Sequence, residues 1–133
     1  MQLCIFEDAL AGNFHPLTYF RPVYDLRCGI MTLREKIIRA LPKAPLALHV
    51  RPFLANLLRE ENPGCTVNRV EAADCLFVNG RLLMTRQAAA MMRRSTHEAL
   101  FMAGETVIGA RLRGSRVQAV SESMSLGTPE LGG

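Results

Sequence analysis

Three short apolar runs, separated by helix-forming stretches, restrict this chain more than any other feature. Gln2-Leu3-Cys4-Ile5-Phe6 ends at Glu7-Asp8, Leu46-Ala47-Leu48-His49-Val50 ends at Arg51, and Cys75-Leu76-Phe77-Val78 ends at Asn79-Gly80. Runs this short and continuous suit strands covered on both faces. Thr32-Leu33-Arg34-Glu35 reads as a capping box, with the Thr hydroxyl accepting from the third amide and the Glu carboxylate reaching back. Leu33, Ile37 and Leu41 then share one face, and Pro42 ends that helix. Pro52 opens a second helix carrying Leu54, Leu57 and Leu58, which Asn62-Pro63-Gly64 stops. A third helix is expected over residues 85–94, and a short strand at Thr66-Val67-Asn68. Two late apolar segments joined by Gly104-Glu105 read as a β-hairpin. This order predicts an α/β domain over residues 1–120, with a Ser/Gly-rich flexible tail or linker over 121–133.

The alternation also predicts where a ligand would sit. In parallel α/β sheets ligands bind beyond the carboxyl ends of the strands. Those ends are Glu7-Asp8, Val50-Arg51 and Asn79-Gly80-Arg81. Residues 8–31 form an unusually long connection, the kind that is commonly functional. Its apolar content, including Leu17, Tyr19, Phe20, Val23 and Tyr24, argues for an ordered segment draped over the domain.

Composition narrows the chemistry. The 133 residues suit one domain with a core of its own, and 49% hydrophobic against 21% charged residues excludes general disorder. Of 16 Lys and Arg, only Lys36 and Lys43 are lysine. The planar guanidinium fork suits phosphate, although a genome biased toward Arg codons gives the same count. No basic run occurs, Trp is absent and aromatics are 6%, so a nucleic-acid partner is not expected. No apolar run approaches the ~20 residues that span a bilayer. The start lacks a basic leader, which points to a cytoplasmic protein with no membrane partner. Cys4 and Cys75 are expected as buried thiols, and no cysteine spacing suggests a metal site.

Two blocks carry a family likeness. Pro16-Leu17-Thr18, Arg21-Pro22, Leu26-Arg27-Cys28-Gly29 and Thr32-Leu33-Arg34-Glu35-Lys36 form the first, and Leu76-Phe77-Val78-Asn79-Gly80-Arg81-Leu82-Leu83 the second. Together they resemble the N-terminal region of a bacterial family of sugar nucleotidyltransferases. That family is a divergent form of UDP-N-acetylglucosamine diphosphorylase / glucosamine-1-phosphate N-acetyltransferase. The resemblance implies a Rossmann-like nucleotidyltransferase sheet flanked by helices, complete or partial, closed by a C-terminal β-hairpin. It implies a nucleotide and a sugar phosphate as partners. Longer members carry a left-handed β-helix behind this domain, an acyltransferase module that commonly forms trimers. No such repeat lies within these residues; a homo-oligomer is implied as possible, and a trimer if such a β-helix follows.

The likeness has departures with chemical meaning. The wider superfamily has a Gly-rich loop after its first strand, where this chain has only Ala11-Gly12-Asn13. It also has a Gly-Asp pair whose Asp holds Mg²⁺, where this chain has Asn79-Gly80-Arg81. Mg²⁺ is thus implied as cofactor without its usual carboxylate. Asp8 either holds the metal with ligand phosphates or caps a turn. Arg21 and Arg27 are the candidate catalytic cations, with pairing to Asp25, Glu7 or Asp8 as the alternative. Thr18, Gly29, Asn79, Gly80 and Arg81 complete the candidate phosphate-binding set. Thr18 and Gly29 have turn geometry as their other explanation. Three functions stay open: a nucleotidyltransferase domain, inactive as a fragment; a non-catalytic nucleotide-binding or assembly domain; or a plain α/β interaction domain whose Arg content reflects codon bias.

Overall fold

The apolar run at the N-terminus becomes β1 (Gln2–Phe6), and all five of its residues are buried. The reason is its position at the centre of a six-stranded sheet, covered on both faces. The computed structural model describes residues 1–7 and 21–126. β1 pairs in parallel with β4 (Leu46–Leu48) on one side and with β6 (Asp74–Asn79) on the other. β5 (Thr66–Val67) extends the parallel part beyond β4. β8 (Thr106–Arg113) runs antiparallel to β6 and carries β7 (Ala99–Ala103) as the outer strand of a hairpin. The order is β5-β4-β1-β6-β8-β7, a Rossmann-like α/β sheet. Strand order reverses beside β1: the chain first builds toward β5, then returns to place β6 on the far side.

Register fixes what each face buries. Leu3 lies beside Leu46 and Leu76, and Ile5 beside Leu48 and Val78. These residues pack with Ile37, Leu58 and Met92 in one core cluster. Those three come from α1 (Leu33–Ala40), α2 (Ala55–Glu61) and α3 (Arg86–Arg94). The alternate residues Cys4, Phe6, Ala47, Cys75 and Phe77 join Val117 and Val120 on the opposite face. Val117 and Val120 belong to α4 (Ser115–Leu126). Among the described residues, three helices therefore cover one face and one helix covers the other, and the period-two alternation of the strands supplies an apolar set to each.

The local signals act as their chemistry predicts. Thr32 caps α1: its Oγ accepts from the Glu35 amide at 3.1 Å, and Glu35 Oε1 accepts from the Thr32 amide at 3.3 Å. Thr85 caps α3 by accepting from Ala88 N. Pro52 opens a 3-10 turn over Pro52–Leu54 that leads into α2.

One segment differs from the sequence expectation, and a second adds detail to it. Residues 121–126, expected in the flexible tail, continue α4. Val117 and Val120 bury one side of that helix, and Ser121 Oγ accepts from Val70 N at 2.9 Å. Residues 127–133 lie outside the described part. Ahead of α1, the chain forms a 3-10 turn at Val23–Asp25 and a small hairpin of β2 (Arg27–Cys28) and β3 (Met31–Thr32).

Candidate functional site

The carboxyl ends of β1 and β4 are joined by a buried polar network. Glu7 leaves β1 with only 1% of its surface exposed. Its Oε2 accepts from Val23 N at 2.8 Å, and its Oε1 accepts from Arg51 N at 3.2 Å and Arg51 Nε at 3.1 Å. Arg51 Nη2 also donates to Glu7 Oε2 at 3.3 Å and to the Arg21 carbonyl at 2.9 Å. The Glu7 amide donates to His49 Nδ1 at 3.2 Å, which fixes the imidazole against β1. The opposite charge is what allows so buried a carboxylate. The Arg51 guanidinium lies over the Phe53 ring, 5.3 Å from its centroid. Its Nη1 is buried and meets no acceptor among the described residues. A buried donor left without an acceptor is costly, and the cation that carries it is itself partly exposed.

Tyr24 closes the top of the sheet. Its side chain is fully buried, and its hydroxyl donates to the His49 carbonyl at 2.9 Å. Burial pushes the Tyr24 hydroxyl well above its ordinary pKa, and the charges of Glu7 and Asp25 push it the same way. The ring also faces Arg34, 5.6 Å away. Arg34 in turn holds Asp25 through Nε at 2.7 Å and reaches Asn62 Oδ1 at 2.8 Å. Gly80 is the matching element on β6. Its amide donates to the Phe6 carbonyl at 2.8 Å, and a Cβ there would stand 2.6 Å from Tyr24 Cδ2. Tyr24 thus packs onto Gly80 at the β1/β6 junction, where the strand order reverses.

Asn79 and Arg81 edge a neighbouring cavity of about 250 Å³ that also touches Leu82, Leu83, Thr106 and Ile108. Asn79 is buried, donates from Nδ2 to the Val107 carbonyl at 3.0 Å and accepts on Oδ1 from Arg81 N at 2.9 Å. Its amide therefore shapes the strand exit and orients the Arg81 backbone.

The expected site residues divide into groups. Asn79, Gly80 and Arg81 stand together at the β6 exit. Arg21 is exposed and joins the strand ends through its carbonyl. Arg27 is exposed on the small hairpin, where its Nη1 donates to the Ile30 carbonyl at 2.8 Å. Gly29 forms the tip of the same hairpin with φ of 78°, a conformation that favours glycine. Asp8 and Thr18 lie outside the described residues. The carboxylates proposed as partners for Arg21 and Arg27 bind other arginines: Asp25 pairs with Arg34, and Glu7 with Arg51. Sequence placed Glu7 and Arg51 at strand ends without pairing them, and it gave Tyr24 and His49 no role in the site. The visible signal was a charged or polar residue within or directly after an apolar strand run.

The described strand-end donors do not fit Mg²⁺. Both Glu7 oxygens are taken by Val23 and Arg51, and Asn79 Oδ1 is taken by Arg81 N. Among the described residues, no three His, Cys, Asp or Glu gather at metal-binding distance. No helix among them is long and apolar enough to cross a membrane. Against known proteins, a family model described as sugar nucleotidyl transferase matches residues 3–129. No curated protein and no solved structure matches.

Proposed function

Because the chain belongs to the sugar nucleotidyl transferase family, we propose that it binds a nucleoside triphosphate and a sugar 1-phosphate at the carboxyl ends of β1, β4 and β6. The proposed pair is UTP and N-acetylglucosamine 1-phosphate. The family match carries this reading, and the reversal of strand order beside β1 supports its location. In the reaction, a sugar-phosphate oxygen bonds to the α-phosphorus and the α–β bridging bond breaks. Pyrophosphate leaves with the electron pair. No proton need move, so positioning and neutralisation of the phosphates carry the rate.

The protein's contribution is a set of guanidinium groups. Arg51 is preoriented by Glu7 and the Arg21 carbonyl, with Nη1 left over. Arg81 edges the adjoining cavity, and Arg21 and Arg27 complete the proposed phosphate contacts. A cytoplasmic location agrees with this substrate class. A trimer belongs to the proposal only with a left-handed β-helix in the same polypeptide. The test is pyrophosphate release from UTP and N-acetylglucosamine 1-phosphate, with other triphosphate and sugar-phosphate pairs alongside, with and without Mg²⁺. Release with none of the pairs would remove the catalytic reading.

A second reading has its own support. Tyr24 occupies the space over Gly80, and Glu7 is spent on Arg51. Both favour a nucleotide-binding or assembly domain without turnover. Calorimetry with UTP and with UDP-N-acetylglucosamine separates the two: binding without pyrophosphate release selects the second.

A further inference from the structure

The side chains of Lys36 and Arg39 on α1 and of Arg86 and Arg93 on α3 line one groove of about 640 Å³. We propose that this groove between α1 and α3 is a binding site for a small polyphosphorylated compound, separate from the strand ends.

The case rests on four cations that line one groove with no carboxylate among its lining residues. Arg34, Arg51, Arg69, Arg111, Arg113 and Arg116 each stand within ion-pair distance of a carboxylate. None of the four groove cations does so among the described residues. The groove lining contains no Asp or Glu. Glu35, the residue next to Lys36, is turned into the capping box with Thr32. Among the described residues, the one side-chain polar contact of the four is weak, from Arg39 Nη1 to Met31 Sδ at 3.4 Å. Four like charges gathered without counter-charge repel one another, and an anion between them relieves that repulsion.

Geometry selects the class of anion. Lys36 and Arg39 are neighbours on α1, one turn apart. Arg86 and Arg93 are two turns apart on α3, roughly 10 Å along its axis. The cations thus face each other across the groove over a length that exceeds one phosphate. The amino end of α3, Thr85-Arg86, opens into the same space, adding the positive end of a helix dipole. Met31, Ala40, Met84 and Ala89 give the groove an apolar part, which suits a compact organic group joined to the phosphates. The volume matches that of small-ligand pockets. A nucleic-acid strand would need a longer basic track than these four cations supply.

Tripolyphosphate titrated calorimetrically into the full chain tests the site, at low and at high salt. Binding is expected at low salt and weaker at high salt. An Arg86→Ala/Arg93→Ala chain is expected to bind roughly tenfold more weakly, or worse. Arg59→Ala, on the exposed side of α2, is expected to bind as the parent does. Should the α3 double variant fail to fold, Lys36→Gln/Arg39→Gln on the facing helix is expected to give the same loss. UTP run alongside on the parent and the groove variants separates the two sources of the phosphates: UTP binding that is tighter than that of tripolyphosphate and is weakened by the groove variants assigns a nucleotide, and UTP binding that those variants leave unchanged assigns a free polyphosphate. Affinity unchanged by both groove variants, or no heat from the parent with millimolar probe, would overturn the proposal. Tighter binding of a single-stranded oligonucleotide than of tripolyphosphate would overturn the small-ligand assignment. None of these outcomes depends on pyrophosphate release, so the result is distinct from that of the transfer assay.

Discussion

Tyr24 stands where a side chain on Gly80 would have to go: a Cβ built on Gly80 would lie 2.6 Å from Tyr24 Cδ2 and 3.0 Å from the Phe6 carbonyl oxygen. The requirement for glycine here is therefore steric. One contact is with a ring that is fixed through its hydroxyl to the His49 carbonyl, and the other is with β1 backbone. Neither can retreat cheaply. Gly80→Ala is expected to cost about 1–3 kcal/mol, typical of overpacking, and to lower the melting temperature by several degrees. Thermal denaturation followed by circular dichroism measures it. An unchanged melting temperature would show that Tyr24 moves freely.

The same tyrosine gives an alkaline signature. Its hydroxyl is pushed well above the ordinary value, first by burial and then by Glu7 and Asp25. Cys75 is pushed up to about 12 by burial, then by Asp74. Both groups ionise more readily in the unfolded chain, near pH 8.5 for a thiol and 10 for a phenol. Stability is therefore fully present below about pH 8.5 and falls as pH rises toward the folded values. Urea midpoints at pH 8 and pH 10.5 should differ in that direction. Tyr24→Phe should start lower by about 1–3 kcal/mol, because the His49 carbonyl loses its donor. Its decline with pH should also be shallower, since one of the titrating groups is gone. A parallel decline in both proteins would assign the effect to the thiols alone.

Glu7 and Arg51 hold the strand ends together, and each is the other's counter-charge. Removing one leaves the other's charge without its partner, at a place where Glu7 is almost wholly buried and Arg51 partly so. Glu7→Ala strands the guanidinium and frees Val23 N, while Arg51→Met strands a carboxylate that is almost wholly buried. Each is expected to cost about 3–5 kcal/mol, enough to threaten folding in a domain of ordinary stability. Glu7→Ala/Arg51→Met should lose less than the two single losses added together. A double-mutant cycle on urea midpoints measures that coupling.

The strands and helices were legible because apolar runs and caps are local signals. β1, β6, α1 and the β7–β8 hairpin all follow from contiguous residues. The β2–β3 hairpin was not legible, because two-residue strands carry no alternation to detect. α4 was hidden by its serines, and its docking depends on Val117 and Val120 finding Phe77 and Cys75 across the sheet. The site was harder still. Sequence placed Glu7, Asp25, Arg21 and Arg27 near one another, but which arginine reaches which carboxylate is set by chain path. Glu7 and Arg51 are 44 positions apart, and only the parallel pairing of β1 with β4 brings them together. The basic groove was invisible for the same reason, since α1 and α3 meet only through the sheet beneath them.

Arg21 offers the cleanest probe of the proposed transfer. Its side chain is exposed, and its structural bond uses the carbonyl, which any residue retains. Arg21→Ala should therefore leave the melting temperature unchanged within about 1 °C. Arg27 is less clean, because its Nη1 holds the Ile30 carbonyl in the hairpin turn. A charge-assisted phosphate contact contributes about 1.5–3 kcal/mol. If Arg21 makes one in the transition state, kcat/KM for pyrophosphate release should fall roughly 10- to 150-fold. Arg21→Lys should recover part of the loss, since charge returns without the fork. Full-rate turnover by Arg21→Ala, with an unchanged melting temperature, would remove Arg21 from the site and leave Arg51 and Arg81 as the phosphate contacts to test next.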